Sequence, residues 1–130
     1  MRNRAVRLIF IFSAWISISG CPRMAYVDIY NNAGVDVSVS AGGKVTPISP
    51  GESKQVIFSS ASMVVDSELG SWVYGRALIP DHGENGPYFD GTVYVQVESD
   101  GQIYALQKSH ARPAVEFPDQ PEGFPLGPGS

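Results

Sequence analysis

One cysteine, two histidines and 17% charged residues in a chain of 130 leave little material for several familiar kinds of small protein. A lone Cys excludes a disulfide framework and any zinc site built from several thiolates. His82 and His110 stand far apart and do not supply the three or four convergent ligands that a metal site takes. Basic residues are scarce as well. Nine Lys and Arg against thirteen Asp and Glu give a formal charge of −4, the wrong sign for meeting nucleic-acid phosphates. There is no Gly-x-Ser-x-Gly elbow, no His-Glu-x-x-His, no Ser-x-x-Lys and no phosphate-cradling glycine loop. With no nucleophile–base pair in sight, the expectation is a protein that is not an enzyme and needs no cofactor. Helix-period apolar stripes are missing too, and fourteen Gly and ten Pro are too many for a helical bundle. What remains is 43% hydrophobic residues, enough for one packed domain.

The N-terminus is the most specific part of the chain. Arg2, Arg4 and Arg7 form a cationic start, and Leu8 to Gly20 then carry no charge. A cationic region, an apolar region and small residues are the parts of a secretory signal peptide. Thirteen residues of helix reach about 20 Å, short of the roughly 30 Å hydrocarbon core, so a permanent span is not expected.

The segment ends in Ile18-Ser19-Gly20-Cys21, which resembles the lipobox of bacterial lipoproteins at all four positions. The resemblance covers the leader and implies cleavage between Gly20 and Cys21, a diacylglycerol thioether on the Cys21 sulfur, and an acylated (typically palmitoylated) new amine. Cys21 would then be held by lipid and unable to serve as a catalytic nucleophile. Two or three acyl chains hold a protein on a leaflet stably where one does not. Pro22 stands where an Asp would favour retention at the inner membrane, which implies the outer membrane, facing the periplasm, in an envelope that has one. With residues 1–20 removed, six Lys and Arg face thirteen Asp and Glu, a formal charge of −7. Such a body is repelled by anionic lipid and would stand off on residues 21–25 as a tether.

Beyond the leader, apolar residues alternate with period two and are punctuated by Gly, Pro, Asn and Asp. Val27 and Ile29 alternate within Tyr26–Asn31, and Val35, Val37 and Val39 within Val35–Ser40. Asn32-Ala33-Gly34 between them reads as a three-residue hairpin loop, pairing Ile29 with Val37 and Val27 with Val39 and setting Tyr30 beside Asp36. Gly42-Gly43 predicts a tight turn into Lys44–Ile48, and Ser49-Pro50-Gly51-Glu52 a type II turn. Gln55–Phe58, Ser62–Val65 and Ser71–Ile79 read as strands, the last with Val73, Ala77 and Ile79 inward and Trp72, Tyr74 and Arg76 outward. Asp100-Gly101 predicts a two-residue hairpin turn, pairing Val97 with Tyr104 and Val95 with Leu106, with Gln96 and Glu98 outside. About seven short strands at this spacing predict an all-β fold: a small two-layer antiparallel β-sandwich, immunoglobulin-like or transthyretin-like, over 26–109. A small closed barrel is the second choice.

Residues 110–130 hold Pro113, Pro118, Pro121, Pro125 and Pro128 among few apolar groups, a composition that predicts a disordered tail. Its alternative use is docking through Phe117 and Phe124. In the polar loop 80–91, Asp81, Glu84, Asn85 and Asp90 offer oxygen ligands without the spacing of a calcium loop, and a solvated turn explains them better. Trp72, Tyr74 and Tyr94, with Tyr88 and Phe89 nearby, are the candidate ligand platform, since sugar rings stack on flat apolar faces; packing in the core is the competing use. The expectation is a membrane-tethered envelope lipoprotein acting as a protein-interaction or structural module. A carbohydrate- or peptidoglycan-binding module is the alternative.

Overall fold

The computed structural model describes residues 25–58, 62–75, 88–89 and 91–129. Eight strands lie in this part: β1 (Ala25–Asn32), β2 (Val37–Ala41), β3 (Lys44–Ile48), β4 (Ser53–Phe58), β5 (Met63–Ser67), β6 (Gly70–Tyr74), β7 (Thr92–Glu98) and β8 (Ile103–Leu106). They form two four-stranded sheets, ordered β4-β1-β7-β8 and β3-β2-β5-β6. This is the expected all-β sandwich with one difference: β1 and β7 run parallel, while the other neighbours are antiparallel. The inner faces meet in a single core. Val27, Ile29, Val93, Val95, Val97 and Ile103 come from the first sheet, and Val37, Val39, Ile48, Met63, Val65 and Tyr74 from the second, none more than 1% exposed. Burying each such side chain is worth about 1.5–3 kcal/mol, which is what the period-two valines supply.

The first expected hairpin does not form. β1 pairs with β4 and β7, β2 pairs with β3 and β5, and residues 33–36 carry the chain from one sheet to the other. Val27, Ile29, Val37 and Val39 are all buried as alternation requires, but they meet across the sandwich instead of along one ladder. Asn31, fully buried, holds the crossing. Its Oδ1 accepts from the Ala33 N–H (2.9 Å), and its Nδ2 donates to the carbonyls of Val35 (2.8 Å) and Ile48 (2.9 Å). A buried amide satisfied by three main-chain groups ties both sheets to one corner.

The local turns follow the sequence closely. Gly42 and Gly43 both have positive φ, 59° and 82°, as a two-residue turn between β2 and β3 demands. At Ser49–Glu52 the Glu52 N–H donates to the Ser49 carbonyl at 3.0 Å, and Gly51 sits at φ 77°. Gly51 N–H also donates to the Asn31 carbonyl (2.8 Å), while Asn31 N–H donates to the Glu52 carbonyl (3.0 Å), a bulge that delivers the chain into β4 beside β1.

Two side-chain assignments are corrected. The β7–β8 loop has three residues: Glu98 N–H donates to the Gln102 carbonyl and Gly101 N–H to the Glu98 carbonyl, both at 3.0 Å. The pairs are therefore Val97–Ile103, Val95–Ala105, Gln96–Tyr104 and Tyr94–Leu106. One extra loop residue moves β8 by one position and exchanges its faces. In β6 the faces are exchanged as well: Tyr74 is buried and Val73 is 50% exposed. Gly70 opens the strand directly after the β5–β6 turn, and that register points even-numbered residues inward. Residues 76–79, expected to continue this strand, lie outside the described residues.

The largest correction concerns the Pro-rich tail, which is an ordered strap instead of a disordered segment. It crosses the outer face of β7 and β8 and then closes the seam toward β6. Gln96 exchanges two hydrogen bonds with the Ala114 main chain (3.0 and 2.9 Å), and Gln120 exchanges two with that of Ala105 (2.8 and 2.9 Å). Phe117 stacks on Tyr104 with ring centroids 4.0 Å apart. Leu126 pairs with Ile103 through two main-chain bonds and enters the core, 3% exposed, with Phe124 packed against it. Gly129 N–H reaches the Val73 carbonyl at 2.7 Å. Composition alone does not show this, because the tail borrows surfaces made elsewhere, the Tyr104 ring and the edge of β8, and needs no core of its own. The X-Pro bonds at Arg112–Pro113 and Phe124–Pro125 are cis.

The strap, the β7–β8 turn and Trp72 meet at Gly101. A Cβ there would lie 2.7 Å from the Pro128 ring and 3.1 Å from the Trp72 ring, at φ 85°. Gly101→Ala is expected to cost about 1–3 kcal/mol through crowding and backbone strain, read as a lower melting temperature.

Candidate functional site

The three aromatics of the expected platform do not share a surface. Tyr74 is in the core, and its hydroxyl donates to the Gly101 carbonyl at 2.6 Å. Burial, and after it the Asp100 carboxylate, pushes the phenol well above its ordinary pKa, so it stays a neutral donor. Trp72 lies on the same inward side of β6, half-buried against the core and the β7–β8 turn. Tyr94 is on the other sheet and on its outer face, under the strap, with the Arg112 guanidinium 5.2 Å from its ring centre. A cation stacked there occupies the face that a sugar would need. Phe89 packs against the core, and the Tyr88 hydroxyl donates to the Asp119 carbonyl. Phe117 and Phe124 dock, but within this chain.

The remaining sequence candidates separate in the same way. Gly20, Cys21, His82 and the loop acids Asp81, Glu84 and Asp90, with Asn85, lie outside the described residues. His110 accepts the Gln107 N–H on Nδ1 at 3.1 Å and serves the strap's first turn. Asp28 sits on the outer face of β1 beside Tyr94, where burial raises its carboxyl pKa while Arg112 pulls the other way.

Among the described residues, concave surfaces open at two places. One, of about 400 Å³, lies among Gly34, Val35, Asp36, Pro50 and Glu68 at the end of the sandwich where β1 finishes. The other, of about 460 Å³, runs along the seam between edge strands β3 and β4 and is lined by Tyr26, Ala41, Lys44, Thr46, Gln55 and Ile57. Tyr26 and Ile57 are cross-strand neighbours there, 48% and 50% exposed. The sandwich is thus asymmetric: the strap covers the seam between β8 and β6, and the seam between β3 and β4 is uncovered among the described residues. Sequence reading did not single out this surface. Its one visible trace was Pro47, a residue that sheets accept at an edge. No protein-family model, no curated protein and no solved structure matches the chain.

Proposed function

We propose that this chain is a lipid-anchored contact protein of the bacterial cell envelope, a module that binds a protein partner and does no chemistry. The observation that carries the reading is the tetrad Ile18-Ser19-Gly20-Cys21, which ends four residues before β1 begins at Ala25. Four residues span at most about 14 Å, so acyl chains on Cys21 would keep the body close to the leaflet. Within each sheet the register then sorts the ends. Ala25, Phe58 and Thr92 would face the membrane, while loops 33–36 and 49–52 would point away from it. The charge of −7 left after cleavage keeps the body from lying flat on anionic lipid. Pro22 favours the outer membrane, on its periplasmic side. The carbohydrate- or peptidoglycan-binding alternative gains nothing from the placement of Trp72, Tyr74 and Tyr94.

Labelling cells with radioactive palmitate, followed by mass spectrometry of the N-terminal peptide, tests the anchor. The expected result is label on a chain that begins at acylated Cys21. Cys21→Ser should carry no label and leave the membrane fraction. An unlabelled wild-type protein with residues 1–20 still attached would sink the reading.

A further inference from the structure

The four edges of the two sheets are guarded unequally. β8 is paired with Leu126 through two main-chain bonds, and β6 accepts the Gly129 N–H. β3 carries Pro47, which removes an N–H from its outer side. β4 has none of these devices among the described residues. Alternation shows which of its groups are open. Asn31 turns both main-chain groups toward Gly51 and Glu52, so Ile29, Val27 and Ala25 turn theirs the same way, onto Lys54, Val56 and Phe58. Ser53, Gln55 and Ile57 therefore direct their N–H and C=O groups outward, and no described residue meets them.

We propose that β4 receives an extended segment of a partner protein by strand addition, and that this segment alternates apolar residues with carboxylates. The open row offers three donors and three acceptors to a strand's main chain, which is the source of affinity in this mode of recognition. Side chains of an added strand alternate between two faces. On the outer face they would continue the exposed pair Tyr26 and Ile57, which suits apolar residues. On the other side, the one Val56 occupies, they would meet Lys54 and, across the seam, Lys44. Lys44 has no ion pair among the described residues, and Lys54 has only a 3.9 Å contact with Glu52. Cross-strand pairs of opposite charge are favourable, so carboxylates belong on that side. A second copy fits less well. β4 laid antiparallel on itself about Gln55 sets two Lys54 side chains diagonally across from each other. The proposal deepens the reading of the body as a contact module and rests on it. Its outcome is separable from the anchor, whose failure appears at Cys21 alone.

The test uses the full chain in mild detergent and two fluorescein-labelled peptides, acetyl-Thr-Val-Glu-Val-Glu-Val-Thr-amide and its counterpart with lysine for glutamate. Fluorescence anisotropy should show the glutamate peptide binding about tenfold tighter, from the reversal of charge at two positions. Lys44→Glu should narrow or reverse that preference. Gln55→Pro removes an outward N–H, along with the Gln55 side chain, without taking a main-chain bond from β1, and should abolish binding. Should that variant not fold, amide exchange of the wild type replaces it: Ser53, Gln55 and Ile57 should slow when the glutamate peptide is added. Equal binding of both peptides, no binding, or unchanged exchange at these three amides would overturn the proposal. So would a dimer in sedimentation that excludes the peptide.

Discussion

A chain ending at His110 is expected to show no cooperative thermal transition by circular dichroism at 25 °C and above. The removed residues contribute Leu126 to the core, Phe124 against it, and Phe117 stacked on Tyr104. Loss of a buried Leu side chain alone costs about 2–5 kcal/mol. Gln96, fully buried and bonded to the Ala114 main chain, would be bared at the same time. The edge of β8 would also lose its pairing with Leu126 and become a template for aggregation. Set against a typical total stability of about 5–15 kcal/mol, these losses are enough to unfold the domain. If the shortened chain melts cooperatively within a few degrees of the intact protein, the strap is an ornament and this account of the fold is wrong. The same residues would then be free to act as a docking tail.

The second large effect is expected at Tyr74. Tyr74→Ala removes the largest fully buried side chain among the described residues and should cost about 3–5 kcal/mol. Tyr74→Phe keeps the ring and removes only the donor to the Gly101 carbonyl, for a smaller loss of about 1–3 kcal/mol. Denaturant melts of the two variants distinguish core from platform. A residue that served a ligand surface would give two nearly wild-type curves. An unchanged midpoint for Tyr74→Ala would restore the aromatic platform as a possibility.

Tyr74 also illustrates where period-two reasoning stops. Alternation names two sets of residues along a strand and puts Val73 and Tyr74 in opposite ones. Which set turns inward depends on the turn that starts the strand, here Ser67–Gly70, and a one-residue change exchanges the faces. The same physics produced the shift at β8, where Asp100-Gly101 correctly marked a turn but not whether it held two residues or three. By contrast, Gly42-Gly43 and Ser49–Glu52 were fully legible, because a positive φ at glycine is a local steric matter that needs no tertiary context.

The sequence by itself determined the tetrad Ile18-Ser19-Gly20-Cys21 on which the lipobox resemblance rests, the all-β character, the positions of most turns and the valines of the core. Those are properties of residues and near neighbours. Only the tertiary structure decided that β1 pairs with β4 and β7 instead of β2, since a buried valine packs equally well against any apolar neighbour and does not encode its partner. It alone decided that the proline-rich segment lies on β7 and β8, because the surface that orders it was made by strands elsewhere in the chain. From that placement comes the inequality between the two seams among the described residues, one covered by residues 124–129 and the other left with open main-chain groups along β4. Edge pairing is a long-range outcome of topology, and no local pattern in Ser53–Phe58 distinguishes an edge strand from a central one.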